Sequence, residues 1–156
     1  MKRDGQMRAL DVPAENFDLI RGEKANMVRV RLYEIHGPIG AADLPTPGDD
    51  QPVEGIVSYS TYDLWEFDQD NLFDYVAAHF SWYLEKAKSD YEKSLATEVR
   101  EDRNSRLILA DIAVNKALDN GDSEAEAKAR QYRQALRDVP DQAGFPYNVI
   151  WPVLAG

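Results

Sequence analysis

From Met27 to Ile35 apolar and polar side chains alternate, with Val28, Val30 and Leu32 set between arginines. That period predicts a strand with one buried face and one basic face. Phe17 to Ile20 is a shorter apolar run, and Arg21 to Asn26 can turn it back onto that strand as a hairpin. Val53 to Tyr59 reads as a third strand. Gly37 to Pro52 holds Pro38, Gly40, Pro45, Pro47, Gly48 and Pro52, and reads as a long loop. From Asp68 the period changes. Leu72, Val76, Phe80, Tyr83, Ala87, Tyr91, Leu95 and Val99 hold helical spacing, and no proline or glycine interrupts the chain before Gly121. Asp68 or Asp70 can cap this helix, and Asp74 suits its first turns. The polar run Arg100 to Arg106 is where a kink is expected.

Asn120-Gly121 suits a helix C-terminus, and Ser123 with Glu126 has capping-box spacing. A second helix then puts Ala125, Ala129, Tyr132 and Leu136 on one side, small enough in places to approach Ile108–Ala117 closely. These elements make an α+β chain. A small N-terminal antiparallel sheet (residues 1–62) precedes a helical region (63–140). That region has a long helix at about 68–119 and a shorter antiparallel helix at about 123–139. An extended C-terminal arm (141–156) follows.

Composition narrows the chemistry. The chain has 156 residues, 44% of them hydrophobic, as expected for a domain that buries a core. It has no cysteine, which removes disulfides and thiolate sites. The start, Met1 to Arg8, lacks the apolar run of a secretory signal, and no window approaches the roughly twenty apolar residues of a membrane span. The expectation is a protein made in the cytoplasm that stays soluble, with no membrane partner. The net charge is −10, and residues 37–78 hold nine Asp/Glu with no Lys or Arg. An acidic block argues against a nucleic acid as partner, because phosphate binding needs clustered cations.

Nothing in the motifs points to an enzyme. His36 and His79 are the only histidines, and neither stands in a catalytic or metal-ligand motif. His79 falls on the apolar side of its helix and reads as a hydrogen-bonded core residue. Asp68 and Asp70 begin like a calcium loop, but Phe73 replaces its glycine and His79 its bidentate glutamate. No cofactor or metal is therefore expected. Asp63, Glu66, Asp68, Asp70 and Asp74 read as a solvated helix start, with a docking face for a basic partner as the alternative. The aromatics from Tyr59 to Tyr83 read mainly as core. Trp65 and Trp82 are candidates for a second interface, since one helix cannot aim Trp82 the same way as Phe80, Tyr83 and Leu84.

The C-terminal stretch carries the strongest functional signal. Tyr132, Leu136 and Val139 keep helical spacing beside Arg130, Arg133 and Arg137, and Pro140 stops the helix. Phe145, Tyr147, Val149, Ile150 and Trp151 then lie on a segment punctuated by Gly144, Pro146 and Pro152. Apolar side chains on such an arm need a groove, on this chain or on another. A fold-back onto the helical hairpin and insertion into a partner are both open.

Tyr132 to Pro140, Gly144-Phe145-Pro146 and Ile150-Trp151-Pro152 together resemble the C-terminal signature of tail assembly and tail-fibre assembly proteins of tailed bacteriophages. The resemblance covers Arg130 to Pro152. Those relatives often carry an Arg-rich helix ending in Asp-Trp before the signature; the nearest counterpart is Arg103 to Ile112, where Asp111 is followed by Ile112. The resemblance implies non-enzymatic binding of a phage tail or tail-fibre protein in the host cytoplasm during assembly. It also implies a chaperone role, with retention on the virion tail as an option. Tyr132, Leu136, Phe145, Tyr147, Ile150 and Trp151 are the expected contacts, with Arg133 and Arg137 setting orientation. The rival readings are a permanent virion subunit adapting tail or baseplate to fibre, and an acidic DNA mimic. A homo-oligomer through the long helix is left open.

Overall fold

Among the described residues, four strands in the N-terminal half order themselves β1-β4-β3-β2, all antiparallel. They are β1 (Lys2–Arg8), β2 (Phe17–Lys24), β3 (Met27–Pro38) and β4 (Ile56–Phe67). A computed structural model of the chain describes residues 2–8, 11–38 and 56–154. Most of the expected loop, Gly37 to Pro52, lies outside the described residues, as does the start of the expected third strand. The chain divides into two compact units, Met1–Tyr91 and Glu92–Gly156.

In the first unit the alternation in β3 sorts its side chains as the pattern demands. Val28, Val30 and Leu32 are fully buried, and Arg29 and Arg31 face the other way. Arg31 lies directly opposite Asp63 of β4 and holds its carboxylate with two hydrogen bonds, of 2.9 and 3.2 Å. Cross-strand pairs of opposite charge fix register as well as adding stability. The β2–β3 turn uses Asn26 at positive φ, a conformation its short polar side chain tolerates.

The sheet and its exit depart from expectation in three ways. β1 is a strand that Lys2 to Arg8 did not announce, because its mixed polar sequence shows no apolar period. β4 runs on to Phe67, since Tyr62 and Leu64 alternate with Asp63 and Trp65 and continue the sheet. The helix accordingly starts late, at Leu72, with Asn71 at its cap position and neither Asp68 nor Asp70 capping it.

The expected single helix is two, α1 (Leu72–Ala78) and α2 (Phe80–Asp119). The break falls at His79 and not in the Arg100–Arg106 run. His79 Nδ1 donates to the Tyr75 carbonyl at 2.8 Å, the carbonyl that its own backbone N–H reaches only at 3.2 Å. A side chain that takes its own i−4 carbonyl offers the backbone an alternative to the regular ladder. His79 is thus hydrogen-bonded as expected, but exposed rather than in the core. Arg100 to Arg106 stays helical, supported by the Arg106–Asp102 pair one turn apart. Leu72 and Val76 of α1, with Tyr83 and Ala87 of α2, close the core over Phe17, Val28, Val30, Leu32, Tyr62 and Leu64.

In the second unit α2 ends in a Schellman turn. Asp122 N–H reaches the Ala117 carbonyl, Gly121 N–H reaches that of Leu118, and Gly121 supplies the positive φ. α3 (Ser123–Arg137) then begins, capped by Asp122, whose carboxylate accepts from Ala125 N–H at 3.0 Å. The expected Ser123/Glu126 box does not form: Ser123 is already inside the helix, and Glu126 pairs with Arg130 instead. Ala110, Val114 and Ala117 of α2 are buried, as are Ala129 and Leu136 of α3. A short 3-10 turn, Val139–Asp141, follows α3. Among the described residues no helix is long and apolar enough to cross a membrane.

Candidate protein-binding surface

Past the 3-10 turn the chain does not stand away from its own helices. Gln142 anchors it: the side-chain amide donates to the Ile150 carbonyl at 2.8 Å, and Ile150 N–H donates to the amide oxygen at 2.9 Å. Between them Phe145 N–H bonds to the Gln142 carbonyl, and Asn148 N–H bonds to that of Gly144. Gly144 is required at this turn, because a Cβ there would lie 2.3 Å from the Asn148 carbonyl oxygen. The Phe145–Pro146 peptide is cis, and Pro146 is buried.

Two arginines of α2 cover the rings of this segment. Arg100 lies 5.1 Å from the Phe145 ring centroid, and Arg106 lies 4.3 Å from that of Trp151. Asp102 holds the edge of the Arg106 guanidinium through two hydrogen bonds, which push its pKa further up. The charge that stacks on Trp151 is therefore fixed in place. Further along, Leu154 lines a shallow pocket of about 350 Å³ with Ala113, Ala125 and Ala129. The arm thus retraces α2 from Arg100 toward Ala113.

The sequence-predicted contacts separate into three groups. Leu136 is fully buried, so it joins the helices of the hairpin and presents nothing to a partner. Tyr132, Phe145 and Trp151 are half-buried, and Arg133 is tied to Asp111 of α2 at 2.9 Å. Tyr147, Ile150 and Arg137 are exposed. Val153, which sequence reasoning passed over, is more exposed than Tyr147 or Ile150, at 87% against 80% for Ile150. Tyr147, Ile150 and Val153 are three residues apart. Trp151 is half-buried against Arg106, and Leu154 is 40% exposed at the edge of the pocket it lines. Tyr147 lies in the turn that Asn148 N–H closes onto the Gly144 carbonyl, and Ile150 and Val153 follow on the segment after it.

The second expected interface is not one surface. Trp65 follows Leu64 in β4, so it lies on the sheet face away from the core, under Lys24 at 4.2 Å. Trp82 is exposed on α2, edge-on to the buried Tyr83 and close to Lys86. The two tryptophans stand on different layers of the unit. Three carboxylates of the acidic block have partners within the unit. Asp63 pairs with Arg31, Glu66 with Lys86 and Asp68 with Arg21.

Both histidines have local partners. His36 Nε2 meets Ser60 Oγ at 2.7 Å, and Ser60 donates its only hydroxyl proton to Asp4. The serine can therefore only accept from His36, and this row stitches β1, β4 and β3 without making a nucleophile. Among the described residues no group of three His, Asp or Glu is placed to hold a metal.

No curated protein and no solved structure matches the chain. Residues 96–154, which take in the end of α2, all of α3 and the arm, match the family model of the phage tail assembly chaperone protein, and this supports a part in phage tail assembly.

Proposed function

We propose that the protein is a non-enzymatic chaperone of tail assembly that grips a phage tail or tail-fibre component with the outward side of its C-terminal arm. The observation that carries this reading is a coincidence of two spans. The family match covers 96–154, and within it the arm turns Tyr147, Ile150 and Val153 outward while its other side is held by α2. Apolar side chains on a segment already fixed in shape lose little entropy on binding, which favours affinity. Arg137, exposed at the end of α3, orients the partner. The protein acts in the host cytoplasm while tails are built.

The test is co-expression with the tail and tail-fibre proteins of the same phage, followed by pull-down. A Tyr147→Ser, Ile150→Asp, Val153→Asp triple variant should keep its far-ultraviolet circular dichroism and lose the bound component. Undiminished recovery of the component by the folded variant overturns the arm as the gripping surface. Stoichiometric presence in purified particles would instead assign a permanent adaptor subunit.

A further inference from the structure

The helix α2 is apolar on two sides. Ala110, Val114 and Ala117 are buried, and Ile108, Leu109 and Ile112 lie on the far side with exposures of 64%, 65% and 56%. At about 100° per residue the two sets point roughly opposite ways. We propose that the Ile108–Leu109–Ile112 face is covered by a second copy of the same chain, packed antiparallel through this stretch of α2. The proposal does not depend on what the arm binds.

Charge placement selects this occupant. Glu101 stands seven residues before Ile108, and Lys116 seven after Leu109, so each lies one heptad from the apolar patch on nearly the same side. Both are exposed and without an ion pair among the described residues. If Ile108 faces the partner's Leu109 across a two-fold axis, Glu101 falls opposite the partner's Lys116, and the pair occurs twice. A parallel pair would instead set glutamate against glutamate and lysine against lysine. A face that complements itself in this way fits another copy, whereas a different protein has no need of the symmetry.

The same geometry sets the strength. Three aliphatic side chains per copy give far less than the roughly 1,200 Å² of a stable complex, so the dimer is weak and reversible. Further out, Glu98 would face the partner's Asp119, and that like-charged rim weakens it further.

Sedimentation equilibrium on the full chain tests this. The wild type should show a concentration-dependent monomer–dimer equilibrium, and Ile112→Asp should be monomeric with unchanged circular dichroism. Glu101→Lys and Lys116→Glu should each lower the association constant about tenfold. An equimolar mixture of these two should recover it, because each copy then meets its complement. A strictly monomeric wild type overturns the proposal, as does a dimer indifferent to Ile112→Asp, or a mixture no better than its components. A monomeric wild type whose Ile112→Asp variant loses a co-expressed tail protein would give the face to that protein and equally overturn it.

Discussion

The Arg106 guanidinium stacks on the Trp151 ring at 4.3 Å and links the arm to a helix some forty-five residues earlier in the chain. Because Asp102 clamps the same guanidinium by its edge, the ring, the cation and the carboxylate are linked on the surface of α2. Replacing Arg106 by Ala removes the cation–π contact and the ion pair one turn away. The expected loss is about 1 kcal/mol in urea unfolding. In a variant retaining Trp151 alone among the tryptophans, Arg106→Ala should also move the fluorescence maximum to the red. An unshifted spectrum would mean that the ring is held by other contacts.

Gly144 makes a sharper demand. A methyl group there meets a backbone oxygen, that of Asn148, and backbone cannot swing aside as a side-chain tip would. Gly144→Ala should cost about 1–3 kcal/mol. It should also release the Gln142–Ile150 hydrogen bonds, seen as faster amide exchange at Ile150. Gly121→Ala has open space around the new Cβ and strains only the positive φ, at about 1–2 kcal/mol. It should leave exchange at Ile150 unchanged.

Much of the architecture is legible in the chain because the hydrophobic period differs between its halves. The two-residue alternation of Val28, Val30 and Leu32 gave the sheet, and Ala125, Ala129, Tyr132 and Leu136 gave the face of α3. What resisted reading had competing signals. β1 is polar and is held by pairing with β4, so its own composition says little. His79 interrupts a helix without proline or glycine, by a hydrogen bond that the apolar spacing does not encode. In the arm the expected contacts are Phe145, Tyr147, Ile150 and Trp151, and two distant arginines cover the rings of the first and last. The outward side belongs to Tyr147, Ile150 and Val153. Which of these side chains face out depends on the Gly144–Asn148 turn and on where Arg100 and Arg106 stand.

Acid should loosen the first unit through Glu34. Its carboxylate accepts from Lys88 at 2.6 Å, and that bond holds its pKa below the ordinary 4.5. A carboxyl lowered in the folded state stabilises fully above its unfolded pKa, and that stabilisation is lost as pH falls through the folded value. Thermal unfolding should therefore show a decline below about pH 4.5 that Glu34→Gln partly flattens. The pair is only partly buried, so the effect should stay under about 1 kcal/mol. Asp4, lowered by its bond from Ser60 and by Lys2, acts in the same direction. Some slope should consequently remain in the Glu34→Gln variant.

The α2–α3 connection offers a test between two neighbouring residues. Asp122 closes the Schellman turn with its N–H and caps α3 with its carboxylate, so one residue both ends one helix and starts the next. Asp122→Ala keeps the first role and loses the second, at about 1 kcal/mol. Asp122→Asn retains an acceptor and should recover most of that loss. Ser123 has the residue type and spacing of a cap but stands one position too late, and Ser123→Ala should change stability by less than about 0.5 kcal/mol. Urea midpoints of the three variants decide the matter. A loss at Ser123→Ala equal to that at Asp122→Ala would place the cap on the serine and move the start of α3 by one residue.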